Sequence, residues 1–553
     1  MKTKNRMRRI CLLILLLVAT VMNVSAASYD LVICGTRVTD ANKDDLSVIN
    51  GVSGTVKYNP STKTLTLGNA TMTRDIVSPI KSEIDGLTIN VSGTNSISSN
   101  AKGCRIIYAS GDLIINGSGT LSINGSDFES FAYGIYLDNC NLTVSGCALK
   151  VTAMAAINFF GDNHYKMSVT NDAHLDLNGY ECIVGNYIYE EQSGTVTLEV
   201  LGEQTFIEAN NIDLPSGRTS PCFDGISQFV FDDGIDIFEP AEPPHIGRSG
   251  MLWTVDSVFC TSVKIGPVTK YGLWFGGVPV TSANCDNIVG RYIKQGTATY
   301  DDETRTLTLT DCRIIFDKLT KGSNGIISTM DSLAIHLVGS NSIAAADTGI
   351  VSNGDLTIAG PGELGWGLCT TGISMTGNSN CDIRVTDGAS LNMLLVITGI
   401  VGKTWSLRIN KDKTATLYRN KLYVSGGMTD VSIMAGTSAI SDINNLNLSD
   451  GLSLTAPIGA KFDNRDKHAV CDKDGNVVGN FKTVRISHLG DVNNDGAVTM
   501  ADANVVVNYF LATEKPSGFD LDNANVNGDT DDDGNPAITM ADANAIVNMF
   551  LGQ

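Results

Sequence analysis

The sequence is short of basic charge, of histidine and of helical periodicity, and each shortage removes a class of function. Lys and Arg number 39 against 59 Asp and Glu in 553 residues, a formal charge of −20. Binding nucleic acid needs the opposite balance, because phosphate contacts come from cationic side chains, so nucleic acid is excluded as a partner. No two cysteines stand two to four residues apart, as zinc sites require. Phosphate-cradling glycine loops and the strained turn of a serine nucleophile are also missing. After the first 26 residues no stretch approaches the roughly 18 uncharged apolar residues that cross a bilayer, so no membrane insertion is expected of the rest.

The first 26 residues hold five Lys/Arg, an apolar run from Ile10 to Val21, and Val24 and Ala26 at small-residue cleavage positions. This predicts a signal peptide over 1–26 and a secreted protein, extracellular or held at a cell surface through a scaffold. Its removal leaves 34 Lys+Arg against 59 Asp+Glu, a net charge of −25. The remaining cysteines are too sparse for a disulfide framework and read as small buried residues, with Cys140 and Cys147 the one local pairing to test.

The body is one long unit written twice. YDLVICGTRVTDAN from Tyr29 aligns on YGLWFGGVPVTSAN from Tyr271, GTVKYNPSTKTLTL from Gly54 on GTATYDDETRTLTL from Gly296, and GDLIINGSGTL from Gly111 on GDLTIAGPGEL from Gly354. These matches set units at 27–266 and 270–487. Inside each, short Val/Ile/Leu/Thr-rich strands are broken by Gly, Asn, Asp and Ser. A Gly-Ile marker recurs at Ile326, Ile350, Ile373 and Ile400, and more loosely as Ile80, Ile106, Ile135 and Ile157. A strand returning every ~20 to 30 residues with its Ile inward is how stacked coils bury a continuous core. In this rhythm the body resembles the right-handed parallel β-helix proteins, which include pectin-degrading lyases and hydrolases, carbohydrate-binding proteins and adhesins. The expected fold is mainly β, two tandem right-handed parallel β-helix-like units and a small α-helical tail. A string of β-sandwiches is the alternative, and the stretches around Tyr58 and Tyr300 read as β caps.

No carboxylate cluster shared by the two units can be found by spacing. Asp112 and Asp355 recur in Gly-Asp-Leu turns, where Asp has an ordinary turn role. Trp274 and Trp366, and the group Tyr133, Tyr136, Phe159, Phe160 and Tyr165, are candidates for sugar platforms or for core caps. Non-catalytic glycan binding by the body is favoured, with a polysaccharide lyase or glycoside hydrolase as the alternative.

The tail carries the most specific chemistry. DVNNDGAVTMAD, from Asp491 to Asp502, places Asp491, Asn493, Asp495, Thr499 and Asp502 at positions 1, 3, 5, 9 and 12, with Gly496 at 6 and the Ala497 carbonyl at 7. That spacing wraps one Ca²⁺. A helix with an apolar face through Val505, Val506, Tyr509 and Phe510 is expected after it, and none before. Val498 to Leu511 recurs as Ile538 to Leu551, with ten of fourteen residues identical. The second loop has six extra residues, and two ligand sets compete: Asn525, Asn527, Asp529 and Asp542, or Asp529, Asp531 and Asp533 before Gly534. From His488 onward eleven acids face one base, so calcium is expected to order this tail and leave the body nearly untouched.

Residues 488–553 closely resemble the type I dockerin, a module that plugs secreted polysaccharide-degrading proteins into a cohesin-bearing scaffold. The resemblance implies two Ca²⁺, a cohesin partner, a polysaccharide context, and cohesin contact through Met500, Ala501, Met540 and Ala541.

Overall fold

A computed structural model describes residues 27–552 except 126–130, 186–193, 213–218, 241–243, 248–249, 255–256, 378–380, 411–412, 419, 427, 450, 494, 496, 512–518 and 533–536. The expected signal peptide lies outside the described residues. The chain divides into two compact units, Met1–Val268 and Thr269–Gln553.

In the first unit, strands of two to six residues return to parallel pairing one coil later and form three inward rows. One runs Ile80, Ile107, Ile135, Ile157, Ile183, Phe223 in register. A second runs Leu87, Leu113, Leu142, Met167, Leu198, and a third Leu121, Leu149, Leu175, Ile207. All are buried. Each fully buried aliphatic contributes roughly 2 kcal/mol, so the rows hold the stack together. Ile107, and not the expected Ile106, takes the rung. Ile106, its neighbour in the same strand, is fully buried as well.

The second unit repeats the plan. Ile326, Ile350, Ile373 and Ile400 form the expected ladder, which continues to Ile440, and every member is fully buried. The glycine of the Gly-Ile marker has a packing cause. A Cβ on Gly349 would fall 2.0 Å from Trp366 Nε1, and one on Gly372 would fall 2.4 Å from Met393 Sδ. Side chains of the adjoining row fill the space over the glycines. Trp366 is thus a core rung, in line with Ile343 and Met393, and not a sugar platform.

Further details repeat in pairs. Tyr29 packs on Tyr58 at 5.3 Å between ring centroids, and Tyr271 on Tyr300 at 5.1 Å. Buried Asn95 accepts from Ala70 N and donates to Thr120 O, while Asn341 accepts from Cys312 N and donates to Glu363 O. The caps expected around Tyr58 and Tyr300 are the antiparallel hairpins Val52–Asn59 with Thr64–Thr73 and Ile293–Asp301 with Thr306–Ile315. Parallel ladders of this length exclude a string of sandwiches, whose sheets are antiparallel. The body is a parallel β-solenoid.

The second unit closes on the strand Thr483–His488, antiparallel to Asp430–Ser441 and Leu452–Ala456. The helices Met500–Leu511 and Met540–Leu551 follow, packed around Val492, Ala503, Val506, Phe519, Ala524, Ala543 and Ile546. Val506 faces this core with Val505 and Tyr509 half-buried, but Phe510 is exposed. A helical turn at Leu521–Ala524 precedes the second loop. Among the described residues no helix is long and apolar enough to cross a membrane.

Candidate functional site

In the first loop, ligand atoms of Asp491, Asp495 and Asp502 all lie within 4.8 Å of one another, with Asp491 and Asp502 buried. Asp502 is oriented from two sides. Its Oδ1 accepts from Val492 N at 2.8 Å and Asn493 N at 3.1 Å, and its Oδ2 accepts from Thr499 N at 2.8 Å and Thr499 Oγ1 at 3.2 Å. Asn493 Nδ2 donates to Asp495 Oδ2, and Asp495 N donates to both Asp491 Oδ1 and Asn493 Oδ1. Ala497 N donates to Asp495 Oδ1. The Thr499 hydroxyl also accepts from Ala501 N, so this side chain serves the start of the helix. Gly496 lies outside the described residues.

The second loop repeats part of the network, through Asn527, Asp529 and Asp542, while Asn525 Nδ2 donates to Asp529 O at 2.8 Å. Asn527 N donates to Asp542 Oδ1, Asn527 Nδ2 to Asp529 Oδ2, Asp529 N to Asn527 Oδ1, and Thr539 caps its helix in a reciprocal box with Asp542. Ala537 N closes directly onto Asp529 O at 2.9 Å. Asp531 is exposed, and Asp533 and Gly534 lie outside the described residues.

The first loop fits a divalent cation. Three convergent carboxylates repel one another unless a cation lies between them. In the second loop Asn525 Oδ1 is buried with no hydrogen-bond partner, which costs about 1–3 kcal/mol unless an electron acceptor meets it. Met500 and Met540 are 44% and 40% exposed, with Ala501 and Ala541 beside them on the surface. Sequence reasoning missed the exposed pairs Phe510–Leu511 and Phe550–Leu551. An apolar pair in the last turn of a helix reads as core when the turn is assumed to pack.

The body offers two further groups. On the first unit Lys81, Tyr108, Tyr136 and Asn158 form a row in register, with Tyr136 buried. The Tyr108 and Tyr136 rings stack at 5.9 Å, Tyr136 and Phe160 at 5.7 Å, and the Arg105 guanidinium lies 3.9 Å over Tyr136. Phe160 is 47% exposed, whereas Phe159 and Tyr165 stack inside the core. Burial first, then the hydrogen bond to Asp138, pushes the Tyr108 hydroxyl up to about 12. The second group is Glu181 and Asp224 on consecutive coils. Burial raises Glu181, against a hydrogen bond from Ser220, and burial with the Glu181 charge pushes Asp224 up to about 6. Asp224 Oδ1 has no hydrogen-bond partner.

The recurring aspartates are structural. Asp112 accepts from Asn141 N and Nδ2, and Asp355 accepts from Asp382 N, each fastening a turn to the next coil. Trp274 is 36% exposed on a strand of the opening hairpin. No disulfide joins the twelve cysteines from Cys34 on. Cys140 and Cys147 turn to different carbonyls, Ala109 and Ile115, and burial pushes their thiols up to about 12 and about 11.

Residues 489–551 match the family model of the dockerin type I domain. No curated protein and no solved structure matches the chain. Type I dockerins bind calcium and dock onto cohesin modules, so the C-terminal segment equips this chain for cohesin docking in a cellulosome-like assembly.

Proposed function

With a type I dockerin at its end, we propose that the chain is a secreted component of a polysaccharide-degrading assembly whose solenoid body binds glycan. The signal-like residues 1–26, solenoid units over 27–266 and 270–487, and a dockerin over 488–553 make up this reading. Asp491, Asn493, Asp495, the Ala497 carbonyl, Thr499 and Asp502 hold one Ca²⁺; Asn525, Asn527, Asp529 and Asp542 hold a second. Each Ca²⁺ supplies the charge that lets its loop close under a helix. Met500, Ala501, Met540 and Ala541 meet the cohesin.

The observation that supports glycan binding is the cluster of the Tyr108, Tyr136 and Phe160 rings with the Arg105 guanidinium over Tyr136, in which Phe160 is exposed, Tyr108 half-buried and Tyr136 buried beneath them. Exposed ring faces stack on sugar C–H groups, and a flanking guanidinium donates to hydroxyls or to a uronate. Titrating the full chain against pectins, xylans and β-glucans should show binding by one class. Phe160→Ala should weaken it about fivefold, in line with the roughly 1 kcal/mol of a ring contact. Unchanged affinity would place the site elsewhere.

A second reading, cleavage of polysaccharide, is supported by Glu181 and Asp224, because an acid held neutral near pH 6 can donate a proton. The same panel assayed for reducing ends and for absorbance of unsaturated uronides tests it, with Asp224→Asn as the control. A carboxyl whose folded pKa is raised stabilises the fold below its unfolded value and loses that contribution as pH rises through 6. Asp224→Asn should therefore stabilise the first unit at pH 7, by roughly 2–3 kcal/mol, and not at pH 3.

A further inference from the structure

The junction between solenoid and dockerin has no linker. Strand Thr483–His488 still belongs to the body, and only Leu489 and Gly490 separate it from Asp491. The contacts across this point are buried and polar. Ser487, 3% exposed, shares a 2.8 Å hydrogen bond with Thr455 of the body and donates to Asn523 Oδ1 at 2.5 Å. Asn523, 1% exposed, lies in the turn between the two calcium loops. Its Nδ2 donates to the carbonyl of Asp491 at 2.8 Å, and its own carbonyl accepts from Gly490 N at 2.8 Å.

A second tie runs alongside. Arg485 of the last body strand is bonded at once to Asp430 of the body, at 2.9 Å, and to Asp520 of the dockerin, at 2.7 Å. Burial alone would lower its pKa, but the two carboxylates hold it above its ordinary value. Asp520 N in turn donates to Val492 O, inside the first calcium loop. His488 completes the seam with Nε2 facing Gly426 O at 3.1 Å.

These bonds converge on one backbone segment, Gly490 to Val492, which carries the first residue of the loop. We propose that Asn523 is a positioning residue for the first calcium site, and that through Ser487 and Arg485 calcium in that site and the closing strand of the second solenoid stabilise one another. The proposal rests on the reading that this loop holds calcium. A bond that fixes Asp491 before the ion arrives lowers the cost of ordering the loop. By linkage, whatever the body adds to calcium affinity calcium returns to the body. On this proposal calcium acts at the seam as well as on the tail, in place of the expectation that it leaves the body nearly untouched.

The test uses the full chain. Hydrogen exchange with calcium and with chelator needs no variant, and amides of Leu452–Ala456 and Thr483–His488 should exchange at least tenfold more slowly with calcium. Calorimetric titration with calcium should show first-site affinity about tenfold weaker in Ser487→Ala and in Asn523→Ala, with the second site within about twofold of wild type. Ser487 lies outside the dockerin, so its effect separates coupling from damage to the loop, and Asn523→Asp, which keeps the Oδ1 acceptor, should recover part of the affinity. Calcium binding with unchanged exchange in the two body strands, or with Ser487→Ala at wild-type affinity, would overturn the coupling and leave the calcium reading standing. A wild-type chain that binds no calcium would overturn both.

Discussion

The two loops of the dockerin are copies that have diverged in different parts. Their helices are nearly interchangeable: Asp502, Ala503 and Val506 are buried in one, Asp542, Ala543 and Ile546 in the other, with a methionine exposed at the start of each. Their ion-facing strands differ. The first brings together three carboxylates, the second two, because Asn525 stands where the first loop has Asp491. The second carries six more residues in sequence before Ala537, whereas the first is tied to the solenoid through Asn523. On the proposed reading, the surface that would meet a partner is kept in both copies, and the loop that would hold the ion is where they differ.

The largest expected effect tests the sameness of the helices. Charged substitutions at Met500 and Ala501 should leave cohesin affinity within about fivefold, and so should those at Met540 and Ala541, while all four together should cost at least ~1,000-fold, or roughly 4 kcal/mol. A large loss from the first pair alone, seen by calorimetry, would mean that the two copies are not equivalent. Next comes the difference between the sites. Asp502→Ala should weaken the tighter calcium step by roughly 100-fold, whereas Asp542→Ala should remove only the weaker step, since affinity follows the count of ligand charges and the rigidity of the loop. Equal effects in the two variants would erase the distinction. Smaller still, Asn525→Asp should tighten the weaker step about tenfold by restoring a third carboxylate. A weaker second step in that variant would show that the neutral amide at this position is required.

The sequence made some of this readable and hid the rest for physical reasons. The Ile326 to Ile400 ladder is legible because each rung sits at the same place in its coil, beside a glycine that packing forces. Loop one is legible because its ligands are contiguous. Trp366 misleads because its glycine neighbours look like a surface turn when they are the room its ring needs. The turn Leu521–Ala524 is too short to show a period. Glu181 and Asp224 meet only because a long excursion returns Phe223 to the rung of Ile183, and no spacing rule announces that. Asn523 is invisible for the same reason, since its partners Ser487 and Asp491 are set by the seam.

The antiparallel ends of the two solenoids bear on a different property. A stack of parallel coils is a one-dimensional crystal whose terminal rung offers unpaired amides and carbonyls to any strand of matching register, including one from another molecule. In the first unit the rung Phe206–Asn211 is met by Ser262–Pro267 running the opposite way, and in the second Asp430–Ser441 is met by Thr483–His488. A reversed strand satisfies the edge but continues with the wrong polarity for another coil, so it ends growth as a chain terminator ends a polymer. A chain cut before Ser262 would expose that rung, and its characteristic failure would be end-to-end fibres.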